Sequence, residues 1–141
     1  MQMRSPFPIP FGWFQVAWSA DVKPGQVLPI EYFDRKLVVW RDDDGATHVN
    51  DAFCPHLGAH FGYGGQVQGD DLICPFHGWR FNAEGHNTLI PYSDRINKKA
   101  RVESPPVTQA NGLSMAWYHP EGAEPMWTIP DAPEFNDPEN Y

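Results

Sequence analysis

Apolar residues along this chain fall in short runs, alternating or continuous, and no stretch of ten or more holds the spacing of an amphipathic helix. Gly12 to Trp18 (GWFQVAW), Val27 to Phe33 (VLPIEYF), Lys36 to Arg41 (KLVVWR) and Thr47 to Phe53 (THVNDAF) are rich in β-branched and aromatic residues and are predicted as strands. Lys23-Pro24-Gly25 and Asp42-Asp43-Asp44-Gly45 carry turn chemistry, the second where a hairpin loop belongs. Pro29 has no amide hydrogen to give to a ladder, so its strand is expected at a sheet edge or with a bulge. Gln66 to Gln68, a turn at Gly69-Asp70-Asp71, and Leu72-Ile73 read as one short hairpin. Trp79 to Asn82, a turn at Ala83-Glu84-Gly85, and Asn87 to Ile90 read as another. Asn111-Gly112 precedes a final strand, Leu113 to Tyr118.

The chain has 141 residues, enough for one domain with a real core and short for two. Its 15 prolines and 12 glycines favour turns over long helices, while 41% hydrophobic residues exclude a disordered chain, so the expected class is all-β. No apolar run is long enough to span a bilayer, and Met1 to Pro10 lacks the order of a signal peptide, so the expectation is a cytoplasmic protein without a membrane span. A net charge of -8 argues against nucleic acid, because the only basic cluster is Lys98, Lys99 and Arg101. From His119 onward the texture becomes Pro-rich and acidic, with few positions able to pair in a sheet. Residues 1–118 are therefore read as the domain. Residues 119–141 read as a tail or linker, ending as a chain cut from something longer would.

The chemistry is concentrated in Cys54-Pro55-His56, seventeen intervening residues, and Cys74-Pro75-Phe76-His77. Two loops that each supply one thiolate and one imidazole suit a [2Fe-2S] cluster with two cysteines on one iron and two histidines on the other. In that arrangement Cys54 and Cys74 hold the inner iron, and His56 and His77 the outer one. Gly58, Gly62, Gly64, Gly65 and Gly78 permit close approach of backbone N–H groups, and Pro55 and Pro75 stiffen the loops. Zinc also takes two cysteines and two histidines, but its usual sites keep like ligands together, with about two to four residues between cysteines. A disulfide between Cys54 and Cys74 is the remaining alternative.

CPHLGAHFGYGG followed by CPFHGWRF resembles the Rieske domain of Rieske non-haem-iron oxygenases, and the likeness runs from Gly12 to about Pro130. GWF at the start, VVWR before the first loop and Ile90-Pro91-Tyr92 after the second extend it, with a texture nearest the 3-ketosteroid 9-alpha-hydroxylase and cholesterol desaturase branch. The resemblance implies a Rieske fold of antiparallel sandwich or barrel-like sheets with a two-loop cluster-binding subdomain. It implies a Rieske-type [2Fe-2S] cofactor bound by Cys54, His56, Cys74 and His77. It also implies a reductase or ferredoxin as electron donor and a catalytic oxygenase domain with mononuclear iron as acceptor. High-potential members carry an extra cysteine in each loop, absent here. Respiratory members place a hydroxyl residue where this chain has Trp79, so the potential is expected in the lower part of a span of roughly -150 to +300 mV. The unligated ring nitrogens of His56 and His77 are expected to titrate and couple electron uptake to protons.

His60 is expected beside the cluster or exposed rather than as a fifth ligand. His48, His86 and His119 are expected at the surface. Trp79 is expected to pack over the cluster loops, and Trp13, Trp18, Trp40 and Trp117 to fill the core and sheet faces. The histidines left over from the cluster form no closely spaced pair backed by a carboxylate, so no catalytic residue for O2 activation is assigned. The chain is thus expected to pass electrons and not to hydroxylate alone. A free-standing Rieske ferredoxin is the alternative, which would need little beyond Tyr118.

Overall fold

The computed structural model describes residues 8–137 together with 139 and 140. Met1 to Phe7, part of the segment read above for a signal peptide, and Pro138 and Tyr141 of the tail lie outside them. Among the described residues ten strands run β1 (Gly12–Trp18), β2 (Val27–Tyr32), β3 (Arg35–Arg41), β4 (Thr47–Asp51), β5 (Gln66–Gln68), β6 (Asp71–Ile73), β7 (Arg80–Phe81), β8 (Asn87–Leu89), β9 (Val107–Ala110) and β10 (Leu113–Tyr118). The only helical pieces among the described residues are 3₁₀ turns at Ser19–Asp21 and Pro133–Asn136. The all-β expectation holds.

The strands form three antiparallel sheets, ordered β1-β10-β9, β2-β3-β4 and β5-β6-β7-β8. Strand β3 explains how two of them share a core. Its Leu37, Val38, Val39 and Trp40 are all buried, and because side chains alternate across a strand they feed two clusters. Val38 and Trp40 pack with Cys54, Phe61, Cys74, Trp79 and Phe81. Leu37 and Val39 pack with Val16, Val22, Val49 and Ala116. Full burial of each aliphatic side chain contributes about 1.5–3 kcal/mol before entropy is counted. Pro29 pairs with Val38 on the edge strand β2, where a missing amide hydrogen costs nothing.

The small sheet β5–β8 carries the second Cys/His stretch and is fastened to the base at named points. Asp43 and Gly69 join two hairpin turns, with Asp43 N donating to Gly69 O at 2.9 Å and Gly69 N donating to the Asp43 carboxylate at 2.6 Å. Trp40 Nε1 donates to Asn50 Oδ1 at 2.7 Å, and Asn50 Nδ2 reaches Ala83 O in the β7–β8 turn at 3.5 Å. The returning chain closes the far side through Val102 N to Gly85 O at 2.8 Å.

Three expectations are corrected. Phe33 is not the end of a strand: Phe33 and Asp34 form a two-residue turn at φ 59° and 56°. That conformation is costly for a bulky residue, and it is held by stacking of Phe33 on Tyr118, with ring centroids 4.8 Å apart at 17°. Strand β9 had no counterpart in the sequence reading; it pairs with β10 across Asn111-Gly112, both at positive φ, as a primed hairpin turn requires. Trp18 is exposed at the end of an edge strand instead of packed, whereas Trp40 and Trp117 are buried.

Residues after Tyr118 contain no strand among those described, yet they lie against the β1-β10 sheet. Trp127 packs edge-on against Trp117 at 4.8 Å and accepts from Trp13 Nε1 through its carbonyl at 2.8 Å. Asn111 bonds Pro130 O and Ala132 N at 3.1 and 2.7 Å.

Candidate metal centre

The two cysteine loops are built on one plan. Cys54 N donates to Ala59 O and Gly58 N to Cys54 O, both at 2.8 Å; Cys74 N donates to Trp79 O at 2.8 Å and Gly78 N to Cys74 O at 3.1 Å. In each loop the glycine four residues after the cysteine sits at positive φ, 79° for Gly58 and 75° for Gly78, the left-handed corner that lets the chain turn back on itself. The first loop leaves β4 and the second joins β6 to β7, so the sheets set both corners facing each other.

This brings Cys54 and Cys74 side by side, buried and without a disulfide. The His56 and His77 rings meet edge to face, with centroids 5.1 Å apart and planes at 66°. Trp79 comes from the second loop to lie flat on His56 of the first, at 4.2 Å and 8°. Trp79 Nε1 donates to Tyr92 Oη at 2.6 Å, so its hydrogen is committed away from the sulfurs. Pro91 covers the second corner, its Cγ 3.0 Å from where a Gly78 side chain would begin.

The donor atoms fit an iron-sulfur group. Burial pushes the Cys54 thiol from its ordinary 9.0 up to about 12; the Cys74 sulfur beside it adds to the rise, and the His56 and Leu57 N–H groups bonded to the sulfur oppose it. Thiolates in such a place need a cation to replace the protons, so metal loading releases them. The two N–H donors are the stabilisation that a ligated sulfur takes from its loop. His77 Nδ1 is buried with no hydrogen-bond partner, an orphan that a metal bond satisfies. Among the described residues no three His, Cys, Asp or Glu converge on a single ion position. The four instead separate into a sulfur pair and an imidazole pair.

The chain matches the model of the Rieske [2Fe-2S] domain over residues 12–106. It belongs to that family. The family carries a Rieske-type cluster, and the chain is an electron-transfer Rieske domain. It is 42% identical to cholesterol 7-desaturase of Bombyx mori over 97% of this chain and 30% of the relative. It is 35% identical to the oxygenase component of 3-ketosteroid-9-alpha-monooxygenase of Rhodococcus rhodochrous, over 89% of this chain and 34% of that one. Among solved structures, dicamba monooxygenase superposes with a TM-score of 0.77 at 27% identity, covering 90% of this chain and 38% of that one. The chain thus spans about a third of these relatives, at 30% and 34% of their length. No helix among the described residues is long and apolar enough to cross a membrane.

The other histidines lie elsewhere. His60 Nδ1 accepts from Gly62 N at 2.9 Å, and its ring stands between Phe53 and Tyr63 at 5.2 and 4.6 Å. His86 and His119 are on the turn before β8 and just after β10. His48 corrects the surface expectation: it is half-buried on β4, its Nε2 is 2.7 Å from Asp42 Oδ2, and it packs on Trp40 at 4.5 Å. The Asp42–His48 pair went unread because its partners lie on opposite sides of a hairpin turn. Their six-residue spacing has no strand or helix period.

Proposed function

We propose that Cys54 and Cys74 ligate one iron of the cluster and His56 and His77 the other, and that the chain is the electron-transfer domain of a Rieske non-haem-iron oxygenase. The observation that carries this is the pair of equivalent loops that sets two buried thiols together and two imidazoles edge to face. A bound cluster of this type accepts and releases one electron at a time. The chain's own residues exclude water from the thiolates, direct the His56 and Leu57 N–H groups at one of them, and cover His56 with Trp79. Position 79 has no hydroxyl, and the Trp79 Nε1 hydrogen goes to Tyr92, so no donor from that side chain supports a sulfur. That supports a potential in the lower part of the roughly -150 to +300 mV span.

In this reading residues 1–118 are the Rieske domain and 119–141 lead on toward a catalytic domain. Electrons enter from a reductase or ferredoxin and leave to a mononuclear non-haem iron there. Relatives about three times as long, at 30% and 34% coverage, support such an arrangement. Their names, a cholesterol 7-desaturase and a 3-ketosteroid monooxygenase component, support a steroid-like substrate for the whole protein. The test is electron paramagnetic resonance of the dithionite-reduced chain with iron and sulfide analysis. A rhombic Rieske signal that disappears or shifts in His56→Ala and His77→Ala is expected. Unchanged spectra in both variants would refute the ligand assignment.

A further inference from the structure

Ile90-Pro91-Tyr92 holds none of the four ligands, yet it is built onto the metal centre. Ile90 is buried in the same cluster as Cys54, Cys74 and Trp79. Pro91 lies over Gly78, and Ser93 N donates to Ile90 O at 3.1 Å, closing a turn with Pro91 and Tyr92 at its tip. Buried Asn87 braces the chain on both sides of that turn. Its Nδ2 donates to Arg80 O and Leu89 O at 2.9 and 3.2 Å, and its Oδ1 accepts from Asn97 N at 2.8 Å. The Tyr92 ring is 64% exposed, but its hydroxyl is spent inward, accepting from Trp79 Nε1 at 2.6 Å. Trp79 is only 7% exposed and that N–H is its one polar group, so the bond to Tyr92 is what satisfies it.

The indole held in this way lies flat on His56, at 4.2 Å and 8°. A buried N–H that loses its acceptor is costly, and the relief open to a ring at the edge of the core is to turn until the hydrogen meets water. Turning breaks the parallel contact and opens His56 to solvent. Charge decides what that exposure does. Two ferric irons, two sulfides, two thiolates and two neutral imidazoles sum to zero, and one added electron leaves a net negative charge. An apolar cover disfavours a charged state more than a neutral one. Covering His56 therefore holds the potential down and makes the reduced chain the stronger electron donor.

Resting on the ligand assignment above, we infer that Tyr92 is a positioning residue for electron transfer: its hydroxyl fixes Trp79 flat on His56 and thereby lowers the reduction potential. One electron enters or leaves the loaded chain, and no bond forms or breaks. Tyr92 acts through Trp79 and not on the ligands.

The experiment is a redox titration of the iron-loaded chain, followed by its Rieske signal, for the wild type, Tyr92→Phe, Trp79→Phe and the double variant. Tyr63→Phe, at another exposed tyrosine, serves as control. Tyr92→Phe is expected to raise the potential by about threefold in the equilibrium constant, roughly 30 mV for a one-electron couple. In the Trp79→Phe background no N–H remains to be held, so the same substitution is expected to change nothing, and Tyr63→Phe likewise. Electron-nuclear double resonance in deuterated water should show additional deuterons near the reduced centre of Tyr92→Phe. A potential that stays or falls in Tyr92→Phe would overturn the inference, as would an equal rise with and without Trp79, an equal rise in Tyr63→Phe, or a rise without added deuterons. A Tyr92→Phe chain that loses its iron while Trp79→Phe keeps it would overturn positioning in favour of a purely structural role. A wild-type chain that shows no rhombic Rieske signal on reduction would instead overturn the ligand assignment, and this inference with it.

Discussion

Gly58 and Gly78 occupy equivalent corners of the two loops, at nearly the same positive φ, but their surroundings differ. Nothing lies within 4 Å of a side chain added at Gly58, whereas one at Gly78 meets Pro91 Cγ at 3.0 Å. Gly58→Ala is therefore expected to cost about 1–2 kcal/mol, the strain of a left-handed L-residue alone. Gly78→Ala should cost more, because Pro91 and the Tyr92 contact behind it must move. Urea midpoints of the two variants check this; equal losses would mean that Pro91 gives way freely. At this scale the sequence was most legible where chemistry is local. Cys54, His56, Cys74, His77 and the loop glycines announced themselves by spacing, and the structure assembles them. Pairings set by the fold were not legible: nothing about Tyr92 in the sequence shows that it takes the Trp79 hydrogen, nor anything about Trp79 that it lies on His56.

The β3–β4 hairpin shows an element whose turn is more than a connection. Asp42 accepts from Asp44 N at 3.0 Å, from Ala46 N at 2.9 Å and pairs with His48 Nε2 at 2.7 Å. Burial alone would raise its carboxyl, but the His48 contact and the two N–H groups outweigh this and hold it below the ordinary 3.8. A depressed carboxylate stabilises the fold fully above its unfolded value, and the contribution is lost as pH falls from 3.8 through the folded value. Asp42→Ala is expected to cost about 2–3 kcal/mol near neutral pH, since two amides and an imidazole lose their acceptor. Asp42→Asn should cost less and flatten the acid limb of stability against pH. Denaturation midpoints from pH 2 to 7 read both, and an acid limb unchanged in Asp42→Asn would show that other carboxylates set it. The triple aspartate and glycine made this turn legible as a turn. Its partner His48 was not legible, and neither was β9, where Pro105-Pro106 immediately before a half-buried VTQA obscured the strand signal. Phe33 in a left-handed turn inverts a local preference, and only the distant Tyr118 ring accounts for it.

For the whole molecule, the division of the core at β3 decides what the metal stabilises. The cluster of Val16, Val22, Leu37, Val39, Val49 and Ala116 contains no cysteine and no residue of β5–β8. The other contains Cys54 and Cys74 together with Leu72 and Phe81 of the small sheet and Trp79 of its loop. That sheet has strands of only two or three residues, too few to be stable without what it packs on. Binding a ligand to the native state alone stabilises the part of the structure that the ligand needs, and a metal does so strongly. Removing iron is therefore expected to loosen β5–β8 and both cysteine loops, while β1, β10, β2, β3 and β4 stay ordered on their own core. Hydrogen exchange of the iron-loaded and iron-free chain, followed by peptide, tests this directly. Amides of Gln66 to Leu89 should exchange at least tenfold faster without iron, and those of Leu37 to Val39 and Ser114 to Trp117 should keep most of their protection. The bonds from Asp43 to Gly69 and from Asn50 to Ala83 set the limit of this independence, because they carry the loss into the base if they are strong. Protection lost equally along the chain would mean that the two halves fold as one unit and that the metal stabilises all of it.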